Sequence, residues 1–218
     1  LTDEYQPSDM AWMDMKNNDV ELARQLLSAG AKPNVTNDYG VTPLFLGALN
    51  GSADMLDALL TAGANANATR PTGETVLMTA VRTGNSPAVA RLLKGGADPN
   101  AVQISKGQSA LHWAVADGHV DVARTLLEAG ADIKLRSAGE YTPLMGAARH
   151  GSVAMAQLLL EKGDDLVAKA KDGSTPLLIA TVKGHSQLAT YLLVERSAPA
   201  DSGLKSAGFS SLMWAVGT

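Results

Sequence analysis

Cysteine is absent from all 218 residues, so this chain has no disulfide, thiol nucleophile or cysteine-ligated zinc. Such a composition fits a reducing cytosol or a cysteine-poor exported bacterial protein. The first residue, Leu1 rather than Met, tips the expectation towards an exported or periplasmic setting, with the cytoplasm as alternative and further residues expected upstream. Aromatics are scarce too, nine in all, so a core must be built from aliphatic and small side chains. Cationic excess is missing: 18 Lys plus Arg against 22 Asp plus Glu give a net charge of −4, which argues against a nucleic-acid partner. No apolar run approaches the roughly 20 residues of a membrane span, and Leu1–Asp9 lacks the charged-then-apolar layout of a signal peptide. Disorder is excluded by 45% apolar residues with only 18% charged.

Glycine, by contrast, is plentiful at 21 residues, and the chain is periodic. Leucine pairs begin at Leu26, Leu59, Leu92, Leu126, Leu159 and Leu192, in steps of 33, 33, 34, 33 and 33. A second register, Leu44, Leu77, Leu111, Leu144, Leu177 and Leu212, steps by 33, 34, 33, 33 and 35. Two registers with one beat mark an internal repeat.

Each slot of the period has a physical reading. Two residues before each leading leucine stand Thr42, Thr75, Ser109, Thr142, Thr175 and Ser210, hydroxyls suited to capping a helix start. Pro43, Pro143 and Pro176 follow three of them, where a missing N–H costs nothing. About seven residues on, Gly51, Gly84, Gly118, Gly151 and Gly184, with Asn18 in the first unit, reverse the chain through positive φ. A second amphipathic stretch, such as Val120, Val122, Ala123, Leu126 and Leu127, then runs to a terminating Gly30, Gly63, Gly96, Gly130 or Gly163. Every unit is thus expected to be two antiparallel helices and a polar hairpin, with Gly40, Gly73, Gly107, Gly173 or Gly208 near its tip.

The openings Thr42-Pro43-Leu44, Ser109-Ala110-Leu111-His112, Thr142-Pro143-Leu144 and Thr175-Pro176-Leu177, and the closes Gly96-Ala97-Asp98-Pro99-Asn100 and Gly130-Ala131-Asp132, resemble the ankyrin-repeat family. Met-rich, Trp-bearing openings such as Leu212-Met213-Trp214-Ala215 are similar to bacterial arrays. The resemblance implies an all-α solenoid of stacked helix-turn-helix units, with first helices and hairpins lining a concave face. The expected organisation is a polar segment 1–8 followed by an array 9–218, in units 9–38, 39–71, 72–105, 106–138, 139–171, 172–206 and a partial seventh, 207–218.

The two ends and one junction depart from the pattern. Asp14 sits in the slot held elsewhere by Gly47 or alanine, and Asp9 stands as cap, so the first unit reads as a polar N-terminal cap. The chain stops at Thr218 inside a unit that still has the interior pattern, so it is expected to continue there or to pack on another chain. Arg196 replaces the terminating glycine of the sixth unit, and the following connection is two residues longer, so a rebuilt loop is expected.

Signals for chemistry are few. His119 and His185 follow the inter-helix glycine two periods apart, and His112 completes an opening motif, so all three read as scaffold. Asp98, Asp132 and Asp165 share one slot and are expected to bond loop amides rather than a metal. Asn34-Val35-Thr36 and Asn67-Ala68-Thr69 fit a glycosylation acceptor but fall in repeat loops. No phosphate loop, metal-binding His-Glu-x-x-His or nucleophile elbow is present, and no catalytic residue, metal or cofactor is expected.

Function is therefore assigned to the positions the period leaves free. Carried over from the family, these include Tyr39, Val41, Leu46, Leu49 and Asn50; Pro71, Glu74, Thr79, Arg82 and Thr83; and Lys106, Gln108, Trp113, Ala116 and Asp117. The later units add Tyr141, Arg149 and His150, then Asp172, Ser174, Ile179, Val182, Lys183, Phe209 and Trp214. The partner-binding set expected is Tyr39, Leu46, Leu49, Arg82, Lys106, Trp113, Asp117, Tyr141, Arg149, His150, Ile179, Lys183, Phe209 and Trp214, with Trp113 and Trp214 open to a second reading as core between repeats. Aromatics and Arg dominate binding hot spots, so the expected function is a non-enzymatic scaffold that grips a protein partner in its groove. The alternative is a targeting or architectural portion of a larger protein or assembly whose activity lies outside residues 1–218.

Overall fold

The structure is a computed structural model that describes residues 18–200. The chain divides into two compact units, Leu1–Ile104 and Ser105–Thr218. The first holds α1 (Val20–Ser28), α2 (Pro43–Leu49), α3 (Ala53–Thr61), α4 (Val76–Val81) and α5 (Ser86–Lys94). In the second are α6 (Ala110–Ala116), α7 (Val120–Glu128), α8 (Pro143–His150), α9 (Val153–Glu161), α10 (Pro176–Val182) and α11 (Ser186–Thr190), which runs into a π-helical turn, Tyr191–Glu195.

The helices begin where the hydroxyls stand. Thr42 Oγ1 accepts from Phe45 N–H, Thr75 from Met78, Thr142 from Met145 and Thr175 from Leu178, at 3.1 to 3.4 Å. At Ser109 the turn closes differently: His112 Nδ1 accepts from Ser109 N–H at 3.3 Å. Asp19, Ser52, Asn85 and Ser152 cap second helices, an assignment the periodicity had not made.

Within each unit first helices pack on first helices and second on second, as α2 on α4 and α3 on α5, or α6 on α8 and α7 on α9. Leu44, Leu59, Leu77 and Leu92 are at most 1% exposed, as are Leu111, Leu126, Leu144 and Leu159. The small residues Gly47, Ala80, Ala114, Ala147 and Ala180 are buried as well. At Gly47 a Cβ would already lie 3.1 Å from Met55 Cγ, so this slot sets how closely the helices of a pair approach.

Two departures refine the expected loops. The second helices close with an amide five residues beyond its acceptor, as in Ala31 to Leu26, Ala64 to Leu59 and Ala131 to Leu126. In the sixth repeat the bond runs from Ala198 N–H to Leu192 O, six residues apart. The π-helical turn therefore absorbs one of the two extra residues, Arg196 stays at φ −110° and Ser197 takes the positive φ of 56°. At the hairpin tips, Gly40, Gly73, Gly107 and Gly173 have φ between 59° and 83°, and in the fifth repeat that slot is Glu140 at 61°, not the adjacent Gly139. Asp9 and Asp14, expected in a polar N-terminal cap, and Gly208, Ser210, Leu212 and the expected partial seventh unit lie outside the described residues.

Candidate functional site

Each first helix ends in a pair of exposed residues: Leu49 and Asn50, Arg82 and Thr83, Ala116 and Asp117, Arg149 and His150, Val182 and Lys183. Their chemistry changes from repeat to repeat while the inward-facing slots stay apolar. Tyr39, at a hairpin tip, is 76% exposed, and Leu49 is 64% exposed. Lys106 is exposed, and Leu46, Trp113, Tyr141 and Ile179 are half-buried. Phe209 and Trp214 lie outside the described residues. Two positions of the expected face are corrected. Val41 and Thr79 are buried: Val41 N–H donates to Asn37 Oδ1 at 3.0 Å within its own turn, and Thr79 turns its hydroxyl to Glu74 Oε1 at 3.0 Å.

In the second unit Lys106, Tyr141, Arg149 and His150 come together around a depression of about 350 Å³ between α6 and α8. Trp113 does not line it; Gln108, Val115, Ala116, Met145 and Gly146 do. The depression traces to one slot. Where Leu46, Thr79, Trp113 and Ile179 stand in other repeats, α8 has Gly146, and a Cβ there would lie 2.9 Å from Val115 Cγ1. Ile179, in the same slot of α10, instead packs on the cluster of Met145, Ala168 and Ala170. Gly146 was legible only as an exception in a column of bulkier residues.

The walls are held by hydrogen bonds. His112 accepts at Nδ1, so Nε2 carries the proton and faces Tyr141 O at 3.3 Å; burial lowers its pKa and keeps it neutral. Tyr141 donates its hydroxyl to Asp172 Oδ2 at 2.7 Å. That bond, with burial, raises the phenol pKa. For Asp172 burial works the other way, but hydrogen bonds from Tyr141 and Ser174 outweigh it and hold the carboxyl below its ordinary value. The Arg149 guanidinium stands 5.5 Å from the centre of the Tyr141 ring. No Asp or Glu lines the depression, whereas Lys106, Arg149 and His150 do.

The histidines and loop acids take scaffold positions. His185 Nε2 lies 3.0 Å from Arg149 O, and its ring occupies the space above Gly151. Asp98, Asp132 and Asp165 accept from Asn100, Lys134 and Val167 N–H at 2.8, 2.8 and 3.0 Å. One acid was missed. Asp164, in a slot that is alanine elsewhere, is buried and accepts from Leu144 N–H and Asp165 N–H, both at 2.7 Å. Desolvation pushes its pKa up to about 6 against the pull of those two amides. Among the described residues no group of three His, Cys, Asp or Glu could hold a metal ion, and no helix is long and apolar enough to cross a membrane.

Comparison with curated proteins finds no match. A family model described as "Ankyrin repeats (3 copies)" matches residues 11–103, 44–137, 89–170 and 144–218. With those matches running from residue 11 to the last, on a chain whose described residues form capped helix pairs at a 33-residue beat, the protein belongs to the ankyrin-repeat family.

Proposed function

We propose that this chain is a non-enzymatic protein-binding scaffold that holds a protein partner against its hairpin tips and the exposed ends of its first helices. Ankyrin repeats are in general protein–protein interaction modules. The observation that carries the reading here is the run of exposed end pairs, Leu49 with Asn50 through Val182 with Lys183, whose chemistry changes while the buried slots repeat. Such positions are free to encode a partner because they carry little of the packing. The surface is preformed on short, capped helices, so binding orders few side chains.

The test is capture from the source organism with three proteins: the parent chain, a face variant and a back variant. The face variant combines Leu49→Ala, Arg82→Ala, Arg149→Ala and His150→Ala. The back variant combines Arg24→Ala, Glu128→Ala and Gln157→Ala on second helices. Partners held tenfold less by the face variant and equally by the back variant bear the reading out. Equal capture by all three proteins defeats it.

A further inference from the structure

We infer that the depression between α6 and α8 receives an extended acidic segment of a protein partner, with one apolar side chain seated over Gly146 and a neighbouring carboxylate held by Lys106 and Arg149. This rests on the protein-binding reading above and names the chemistry of what is bound.

Shape comes first. Gly146 lacks the larger side chain that this slot carries in the other described repeats; Val115 Cγ1 closes to 2.9 Å from where a Cβ would stand, so the floor there is Val115 with buried Met145. At about 350 Å³ the space lies near the lower limit for small-ligand pockets and is open to solvent. That size suits a side chain delivered by a larger partner.

Charge comes second. The chain as a whole is acidic, at −4, yet the depression is lined by Lys106, Arg149 and His150 with no carboxylate. A basic segment would meet two like charges there, Lys106 and Arg149, with which an acidic one would pair. The site is also preorganised. Arg149 stacks on Tyr141, and Tyr141 is anchored by Asp172, so the guanidinium is positioned before any partner arrives. Asp172 is committed to that anchor, and the acids Asp117 and Glu140, next in the chain to Ala116 and Tyr141, do not themselves line the depression.

The probe is a displayed library of random peptides of about 12 residues, which span about 40 Å when extended. It is selected on the whole chain, and enriched peptides are measured individually by fluorescence polarisation. Enrichment of an apolar residue beside Asp or Glu is expected. Binding should weaken at least tenfold in Arg149→Glu and in Ala116→Trp, which fills the depression from an exposed position and so tests it without strain on the core. It should also weaken as NaCl rises from about 0.05 M to about 0.5 M, and stay unchanged in Gln157→Ala, on the exposed side of a second helix. Neutral or basic enriched peptides, or affinity unmoved by both Arg149→Glu and Ala116→Trp, overturn the inference, as does a library with no enrichment at all. Peptides lost through Leu49→Ala or Arg82→Ala instead would sink this pocket while leaving the broader reading standing. Equal capture by the parent, face and back proteins sinks that reading itself.

Discussion

Residues 18–104 and 105–200 are built from the same helix pair, yet they tie neighbouring repeats together in different places. In the first unit the ties are asparagine side chains. Asn34 donates to Gly63 O at 2.9 Å and accepts from Asn65 N–H at 2.7 Å. Asn67 repeats this with Gly96 O and Asp98 N–H, both at 2.8 Å. In the second unit those slots are Lys134 and Val167, and the ties move to the hairpin tips. Ala138 N–H donates to Lys106 O at 2.8 Å, and Lys171 N–H to Gly139 O at 3.1 Å. In the first unit the matching Pro71 has no N–H, and the tip bond there is longer and starts one residue earlier in the period, from Ile104 N–H to Thr72 O at 3.4 Å. The contrast teaches that a repeat must be tied to its neighbour but that the tie can move. Where it lies at the tips, the tips are held rigid beside the depression.

The largest effects should be the same in both units, because both rest on one kind of core. Leu59 in α3 and Leu159 in α9 occupy one slot and are each 0% exposed. Leu59→Ala and Leu159→Ala should each cost about 2–5 kcal/mol, the range for a buried leucine replaced by alanine. Urea denaturation measures the loss and hydrogen exchange locates it. A loss under about 1 kcal/mol at one site alone would break the claim of a common core.

The next effect belongs to the second unit alone. With a folded pKa of about 6 against an ordinary 3.8, Asp164 binds its proton more tightly in the native chain than in the unfolded one. Its contribution is thus most favourable below pH 4 and is lost as pH rises through 6. The difference corresponds to roughly 3 kcal/mol. Asp164→Ala installs the residue found at Ala31, Ala64, Ala97 and Ala131. Relative to the parent, the variant should gain stability steadily between pH 4 and pH 7. A difference between the two proteins that is flat with pH would show that Asp164 does not titrate in this window.

What could be read beforehand divides along the same physical line. Capping hydroxyls, terminating glycines and leucine pairs were legible because each answers a backbone or burial demand that recurs every 33 residues. The scaffold histidines were legible for the same reason. Single exceptions were harder. Asp164 is one acid in an alanine column and passes for drift. Glu140 hides beside Gly139, which looks like the tip glycine. Val41 and Thr79 sit in variable columns, where burial depends on the side chain opposite. The depression was least legible, since it is made by a missing side chain at Gly146 and by Ala116, while the eye goes to Trp113.

Glu140 offers a smaller test. Its φ of 61° is the left-handed conformation that Gly40 and Gly73 supply in the first unit. A side chain there costs about 1–2 kcal/mol, partly offset by the greater freedom a glycine has when unfolded. Glu140→Gly should therefore stabilise the second unit by about 1 kcal/mol, seen as a higher urea midpoint. A lower midpoint would mean that the Glu140 side chain makes a compensating contact.

The smallest effect bears most directly on the two kinds of tie. Lys134 stands 29 residues before Gly163 and 31 before Asp165, the offsets at which Asn34 and Asn67 reach their partners. Lys134→Asn should therefore build the missing rung, donating to Gly163 O. The second half of the rung is contested, because Asp164 Oδ1 already accepts from Asp165 N–H at 2.7 Å. One new hydrogen bond, exposed to water, is worth about 0.5–1 kcal/mol. Combining Lys134→Asn with Asp164→Ala frees the Asp165 amide, so the pair should exceed the sum of the single changes. Asn67→Ala in the first unit removes both bonds and should cost about 1–2 kcal/mol. Strict additivity in the second unit, with a full loss at Asn67, would mean that the rung depends on its own repeat loops and cannot be transplanted.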